Sequence, residues 1–213
     1  MAKSGLGQAG QATAIKLVEV QRIDRSGVSS IIRAITQDGC CIIKDFTDTE
    51  TLKKANEEVR PYLKQINLGR AIYFPQRPDD LTSHFVDKTT SVYYGETKHT
   101  YTSEAICSIG ITFDIGTGGK AQRLHRDDKN FHVDHEDQTK MGYRVGLDVM
   151  MAVTVPGVKT TYENRETLAI PGRHLWGSDR APKAEEAILA EMETGDAWVM
   201  LGGLYHAGGA NII

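Results

Sequence analysis

Apolar residues near the start of the chain recur with the spacing of one helix face. The first stripe consists of Val28, Ile31, Ile32 and Ile35. Asp38-Gly39 ends the helix that this stripe predicts, and residues 40–43 follow as a short apolar strand. Thr47 and Glu50 form a capping-box pattern that predicts a second helix, with a kink at Pro61. The apolar stripe of that helix consists of Leu52, Ala55, Val59, Leu63 and Ile66.

Residues 67–95 show no clear period and are predicted to be mostly loop. From about residue 105 the apolar positions alternate, which is typical of strands. The predicted strands lie at residues 109–113, 147–155, 168–170 and 197–201, with glycines between them. This pattern predicts a mainly β fold, an antiparallel sandwich or barrel, with the N-terminal helices packed on one sheet. We expect a single domain over residues 1–213, in which residues 1–14 form a flexible tail.

Composition and charge exclude several classes of protein. A formal net charge of −3 over 213 residues argues against a protein that binds nucleic-acid backbones. No apolar run reaches the ~18–20 residues that cross a bilayer, so we expect no membrane partner. Three cysteines, two of them adjacent at Cys40 and Cys41, favour a reducing compartment over a disulfide framework. Because the first residues lack the apolar core of a signal peptide, we expect a cytoplasmic protein.

The sharpest candidate chemistry is a His-x-Asp pair at His125 and Asp127, which a strand would present on one face. His206, after the predicted strand 197–201, supplies a second imidazole. Two histidines and one carboxylate on one side of a metal define the facial triad of non-haem Fe(II) oxygenases. Zinc is an alternative metal for these ligands. A second pair, His132 and Asp134, lies among charged residues and is interpreted as a solvated loop.

Several ordered motifs together resemble the phytanoyl-CoA dioxygenase family of Fe(II)/2-oxoglutarate oxygenases. The motifs are residues 38–44, 122–128, 163–174, 194–196 and 206–211. Within that family the chain is most similar to fungal members that modify alkaloids and meroterpenoids. The resemblance implies a double-stranded β-helix of the jelly-roll, cupin-like type.

The family resemblance also implies roles for individual residues. His125, Asp127 and His206 would bind Fe(II), while Gln122 and Thr167 would hold 2-oxoglutarate, which reacts together with O₂. The reaction would be oxidation of a C–H bond in a small, largely apolar natural product, with ergot alkaloid biosynthesis as one setting. The partner would be that small molecule, and a homodimer is an open alternative to a monomer.

One family feature has no counterpart in the sequence. The family holds the far carboxylate of 2-oxoglutarate with an arginine about a dozen residues beyond the last histidine, because a guanidinium binds a carboxylate bidentately. Only seven residues follow His206, and none is basic. We therefore expect that the strand carrying this arginine is missing. Two rivals remain open, namely an impaired jelly-roll binding protein and a cupin-type metal-dependent hydrolase or isomerase.

Overall fold

Two α-helices, nine short strands and three 3₁₀ helices are the regular elements in the described residues of the computed structural model. The structure describes residues 19–63, 89–94, 97–102, 107, 110–144, 148–164 and 167–213. Helix α1 spans Val28–Asp38 and helix α2 spans Thr49–Leu63. The strands are β1 Arg22–Asp24, β2 Cys40–Lys44, β3 Thr89–Tyr94, β4 Thr97–Thr102, β5 Met151–Thr154, β6 Thr167–Ala169, β7 Ile188–Ala190, β8 Ala197–Leu201 and β9 His206–Gly208. The predicted tail over residues 1–14 lies outside the described residues.

The strands pair into three sheets. A four-stranded sheet has the order β1-β2-β8-β5, in which β1 and β2 are parallel and the other pairs are antiparallel. A three-stranded antiparallel sheet has the order β7-β6-β9, and β3 and β4 form a separate hairpin. The described part of the chain is therefore mainly β with two N-terminal helices, as the apolar pattern predicts.

The core lies on both faces of the four-stranded sheet. Alternate residues of β2 and β8, among them Ile42, Trp198 and Met200, pack against Ala169 and Ala190 of the three-stranded sheet. The opposite face packs on α1, in a cluster of Ile31, Ala34, Ile35, Cys41, Ile43, Val199 and Leu201. Burial of apolar surface contributes about 25 cal/mol per Å², so these two layers hold the sandwich together. The cysteines of β2 are buried thiols, and burial raises the pKa of Cys40 to about 12.

Local signals predict three of the described elements in the N-terminal half, namely α1, β2 and α2. Helix α1 begins and ends as predicted, and Gly39 terminates it at φ 76°, where its N–H bonds to the carbonyl of Ile35. The predicted second helix is present, but its cap is Asp48 and not Thr47. The Asp48 carboxylate accepts the Thr51 N–H at 2.7 Å. The prediction of mostly loop over 67–95 lies outside the described residues up to residue 88, and residues 89–94 form strand β3, which gains its hydrogen bonds from the next segment, β4.

The segment that carries the His-x-Asp pair is extended but is not a regular strand. His125 makes one isolated antiparallel bridge to His206, and Asp127 already begins a short 3₁₀ helix, Asp127–Phe131. The backbone N–H groups of Asp127 and Asp128 both bond to the carbonyl of Gly202, at 3.0 and 3.3 Å. This shared acceptor ends the strand-like pairing, because two successive N–H groups turn toward the same neighbour.

Candidate metal centre

The three predicted ligands converge at the edge of the three-stranded sheet. His125 and His206 exchange both backbone hydrogen bonds, at 2.9 and 3.0 Å, so their side chains share one face. Their ring centroids are 4.4 Å apart. The Oδ1 atom of Asp127 lies 3.4 Å from Nε2 of His125 and 3.6 Å from Nε2 of His206. One ligand atom of each side chain lies within 4.8 Å of the others.

Backbone carbonyls select the tautomer of both histidines. Nδ1 of His125 lies 2.8 Å from the carbonyl oxygen of Arg123, and Nδ1 of His206 lies 3.1 Å from that of Leu204. A carbonyl only accepts, so each Nδ1 donates a proton and each neutral ring carries its lone pair on Nε2. This second hydrogen bond is the usual way in which a metal-binding histidine is oriented. Both lone pairs therefore point toward the carboxylate of Asp127.

Charge and burial favour the ligating forms of Asp127 and His206. The contact with the His125 imidazole lowers the pKa of Asp127, which keeps the carboxylate ionised. The same contact raises the pKa of His125, so a metal that binds Nε2 of His125 must displace a proton there. Burial lowers the pKa of His206, whose ring packs edge-on against Trp198 with 5.7 Å between centroids. An ionised carboxylate beside a neutral buried imidazole is the combination that a divalent metal binds.

The geometry of this triad fits a metal of the iron or zinc type. Ligands about 2.1 Å from a metal and at right angles lie roughly 3 Å from one another. The observed separations of 3.4 and 3.6 Å need only small side-chain rotations to reach this arrangement. All three ligands come from one side, which leaves the opposite positions of an octahedral metal for other molecules. The donor set of two imidazoles and one carboxylate is therefore suited to non-haem Fe(II).

Gln122 and Thr167 lie in one row across strand β9. Gln122 pairs with Gly208 twice, because its N–H donates to the Gly208 carbonyl and its Oε1 accepts the Gly208 N–H at 2.8 Å. Thr167 lies opposite Gly208 on the other side, in the β6–β9 register, and Ala169 lies opposite His206. Thr167 and Ala169 share a face, so the Thr167 hydroxyl lies on the face of His206, two residues along the strand.

The alternative pair, His132 and Asp134, does not converge with another ligand among the described residues. Both side chains are exposed, and Asp134 lies 3.9 Å from the ammonium of Lys129. The next histidine, His135, behaves differently. Its Nε2 lies 2.8 Å from Oδ2 of the fully buried Asp128. No local pattern distinguishes Asp128 from Asp127 in the sequence, so only the fold shows that the two carboxylates have different surroundings.

A second buried carboxylate, Asp148, lies near the Asp128–His135 pair. Its neighbours include the side chain of Tyr143 and the backbone of Gly203. Burial raises the pKa of Asp148 to about 6, and the negative charge of Asp128 adds to the increase. This acid lies in a segment that the alternating pattern marked only as a strand, so its burial has no signal in the sequence.

The two comparisons of sequence assign the family. The phytanoyl-CoA dioxygenase (PhyH) family matches residues 35–212, so the chain belongs to that family. Dioxygenase swnH1 of Arthroderma benhamiae is 28% identical over 211 residues, covering 87% of this chain and 68% of that protein. Dioxygenase peniF of Penicillium patulum is 26% identical over 214 residues, covering 88% of this chain and 68% of that protein. The predicted family is therefore confirmed, and both of these similar proteins are fungal and are named dioxygenases.

Solved structures confirm the predicted jelly-roll fold class. EctD from S. alaskensis, crystallised with 2-oxoglutarate and 5-hydroxyectoine, matches with a TM-score of 0.53 at 15% identity, covering 84% of this chain and 69% of that chain. The carbocyclase SnoK from nogalamycin biosynthesis matches with a TM-score of 0.50 at 10% identity, covering 86% and 78%. In the described part of the chain, neither helix combines the length and apolar character needed to cross a membrane.

Proposed function

We propose that the protein is an Fe(II)/2-oxoglutarate-dependent dioxygenase that oxidises a C–H bond of a small, largely apolar natural product. The observation that carries the proposal is the convergence of His125, Asp127 and His206, with both imidazole lone pairs turned toward one carboxylate. Membership of the phytanoyl-CoA dioxygenase family supports it. Further support comes from the likeness in fold to EctD, whose crystal structure contains 2-oxoglutarate.

In this proposal the three side chains hold the metal by one face. Bound iron would supply the reaction of O₂ with 2-oxoglutarate, which yields succinate and CO₂ and places one oxygen atom on the substrate. The chain itself keeps His125 and His206 in the required tautomer through the carbonyls of Arg123 and Leu204. The half-buried Asp127 supplies the negative charge that offsets part of the charge of the metal.

Thr167 and Gln122 are placed to position 2-oxoglutarate beside the metal. The Thr167 hydroxyl lies on the same face of the sheet as His206, and we propose that it donates a hydrogen bond to a carboxylate of the co-substrate. The Oε1 atom of Gln122 is already occupied by the Gly208 N–H, so its amide NH₂ is the group that would donate. Arg173, which lies in the family motif at residues 163–174, is less suited to this role, because its guanidinium stacks 4.5 Å from the Trp176 ring centroid.

We expect Thr167→Val to weaken 2-oxoglutarate binding by roughly 10- to 150-fold. A hydrogen bond to a charged group contributes ~1.5–3 kcal/mol, and valine preserves the shape of the side chain. The measurement is an anaerobic titration of 2-oxoglutarate into the Fe(II) protein, followed by the charge-transfer absorption. Thr139→Val, which removes an exposed hydroxyl elsewhere, is the matched control. Equal affinity in both variants would exclude Thr167 as a 2-oxoglutarate ligand.

The experiment that tests the proposed function is the formation of succinate from 2-oxoglutarate under O₂. The proposed dioxygenase requires Fe(II) and forms one succinate for each substrate molecule oxidised. A cupin-type hydrolase or isomerase would convert its substrate without succinate, and a binding protein would convert nothing. A panel of small apolar natural products, with ergot alkaloid precursors among them, addresses the substrate, and the ergot assignment stays a prediction.

A further inference from the structure

We propose that the buried Asp128–His135 pair braces the Gly202–Gly203 turn and thereby positions two of the metal ligands, Asp127 and His206. In this role the two residues are positioning residues that do not bind the metal themselves. The inference rests on the proposed metal site and extends it, because it assigns the source of the site's geometry.

The Asp128–His135 pair is buried at a cost in free energy. Asp128 is 0% exposed and the His135 side chain is 7% exposed, with 2.8 Å between Oδ2 and Nε2. Taking a carboxylate out of water is unfavourable unless it is paired and hydrogen-bonded. The backbone of His135 is itself held in place, since it exchanges hydrogen bonds with the side chain and the backbone N–H of Ser178. Because His135 is held by Asp128 through its side chain and by Ser178 through its backbone, the pair is rigid.

The Asp128–His135 pair packs directly against the turn between β8 and β9. A Cβ atom on Gly203 would lie 2.7 Å from Cε1 of His135 and 3.2 Å from Oδ2 of Asp128. A Cβ atom on Gly202 would overlap the Met150 side chain and lie 3.2 Å from Cβ of Asp128. Only glycine allows the backbone to approach the pair so closely.

The same turn connects to two ligands of the metal site. The carbonyl of Gly202 accepts the N–H groups of both Asp127 and Asp128, which fixes the backbone that carries the Asp127 carboxylate. Leu204 follows the turn, and its carbonyl orients the imidazole of His206 through Nδ1. A shift of the turn would therefore move Asp127 and rotate His206 together. Outer residues that orient metal ligands typically change metal affinity by 10–100-fold.

The test compares Fe(II) binding by the metal-free protein and its variants, measured by anaerobic calorimetry. We expect Asp128→Ala to weaken Fe(II) binding by about 10–100-fold, whereas Asp128→Asn keeps most of the affinity because its amide oxygen still accepts from His135. Asp134→Asn is the matched control, since it removes an exposed carboxylate from the same loop. Co(II), whose visible absorption reports its ligand geometry, should show an altered spectrum in Asp128→Ala alone.

Several outcomes would overturn the inference. A lower melting temperature of metal-free Asp128→Ala with unchanged Fe(II) affinity and an unchanged Co(II) spectrum would show a merely structural role. If Asp128→Ala does not fold, His135→Phe decides, because it keeps a ring against Gly203 and removes the hydrogen bond. Wild-type affinity in His135→Phe would contradict the inference. A wild-type protein that binds no Fe(II) would overturn the proposed function as well, whereas equal binding by all variants would overturn the inference alone.

Discussion

Replacing Asp127 with alanine is expected to abolish turnover while the fold remains intact. The substitution removes the only charged ligand of the triad and leaves two neutral imidazoles to hold a divalent cation. Loss of a residue that merely orients a ligand already costs 10–100-fold, so loss of the ligand itself should lower turnover by more than ~100-fold. The Asp127 side chain is 28% exposed and belongs to neither apolar layer, so little stability is lost. Succinate formation at saturating Fe(II) measures the effect.

The matched control is Asp134→Ala, in the alternative His-x-Asp pair. Its side chain is 90% exposed and its nearest cation, Lys129, lies 3.9 Å away, so turnover should stay close to that of the wild-type protein. Circular dichroism and thermal unfolding of both variants establish that each is folded. Equal losses of turnover in the two variants would contradict the assignment of Asp127 as a metal ligand.

The sequence predicts those parts of the fold that local patterns encode. Helix α1 follows from its apolar stripe and from Gly39, whose positive φ ends the helix. Strand β8 follows from its continuous apolar residues, which are buried on both faces of the sheet. The β3–β4 hairpin does not follow, because polar residues such as Thr89 and Thr102 pair through the backbone without an apolar pattern. The local sequence shows the apolar periodicity of a helix or strand, whereas strand pairing depends on a second segment of the chain.

The candidate site shows the same division between local and non-local information. The two-residue spacing predicts that His125 and Asp127 lie together, His206 is a candidate because it follows a predicted strand, and the family resemblance supports all three. The environment of each site residue depends on segments that are distant in the sequence. Asp127 and Asp128 are adjacent in the sequence, yet one faces the histidines and the other is buried against His135. Burial is a property of the fold as a whole, so the sequence alone could not separate them.

Two buried groups give the metal-free protein opposing responses to acid. Burial raises the pKa of Asp148 to about 6 from its ordinary 3.8, so the folded state binds the proton more tightly than the unfolded chain. Stability from this group is present at pH 4 and is lost as the pH rises through 6. Burial lowers the pKa of His174 to about 4 from its ordinary 6.5. Stability from His174 is present at pH 7 and is lost as the pH falls toward 4.

The two effects are of similar size and cover nearly the same pH range. Each shift of about two units corresponds to roughly 3 kcal/mol, at 1.36 kcal/mol per unit. The contributions of Asp148 and His174 to the free energy of unfolding should therefore largely cancel between pH 4 and pH 7. His174 owes its lowered pKa to burial, since Gly39 and Tyr143 enclose its ring, while the hydrogen bond that Nε2 donates to the Thr36 carbonyl acts in the opposite direction.

Asp148→Asn should reveal the loss of stability on acidification that His174 causes and that Asp148 offsets in the wild-type protein. The variant lacks the titration of Asp148, so its free energy of unfolding should fall by roughly 3 kcal/mol more than that of the wild-type protein between pH 7 and pH 4. Urea unfolding of the metal-free proteins at several pH values, with chelator present, measures the difference. Asp114→Asn removes an exposed carboxylate and serves as the control for general charge effects. A difference between Asp148→Asn and wild type that stays constant across this range would show that Asp148 titrates alike in the folded and unfolded states.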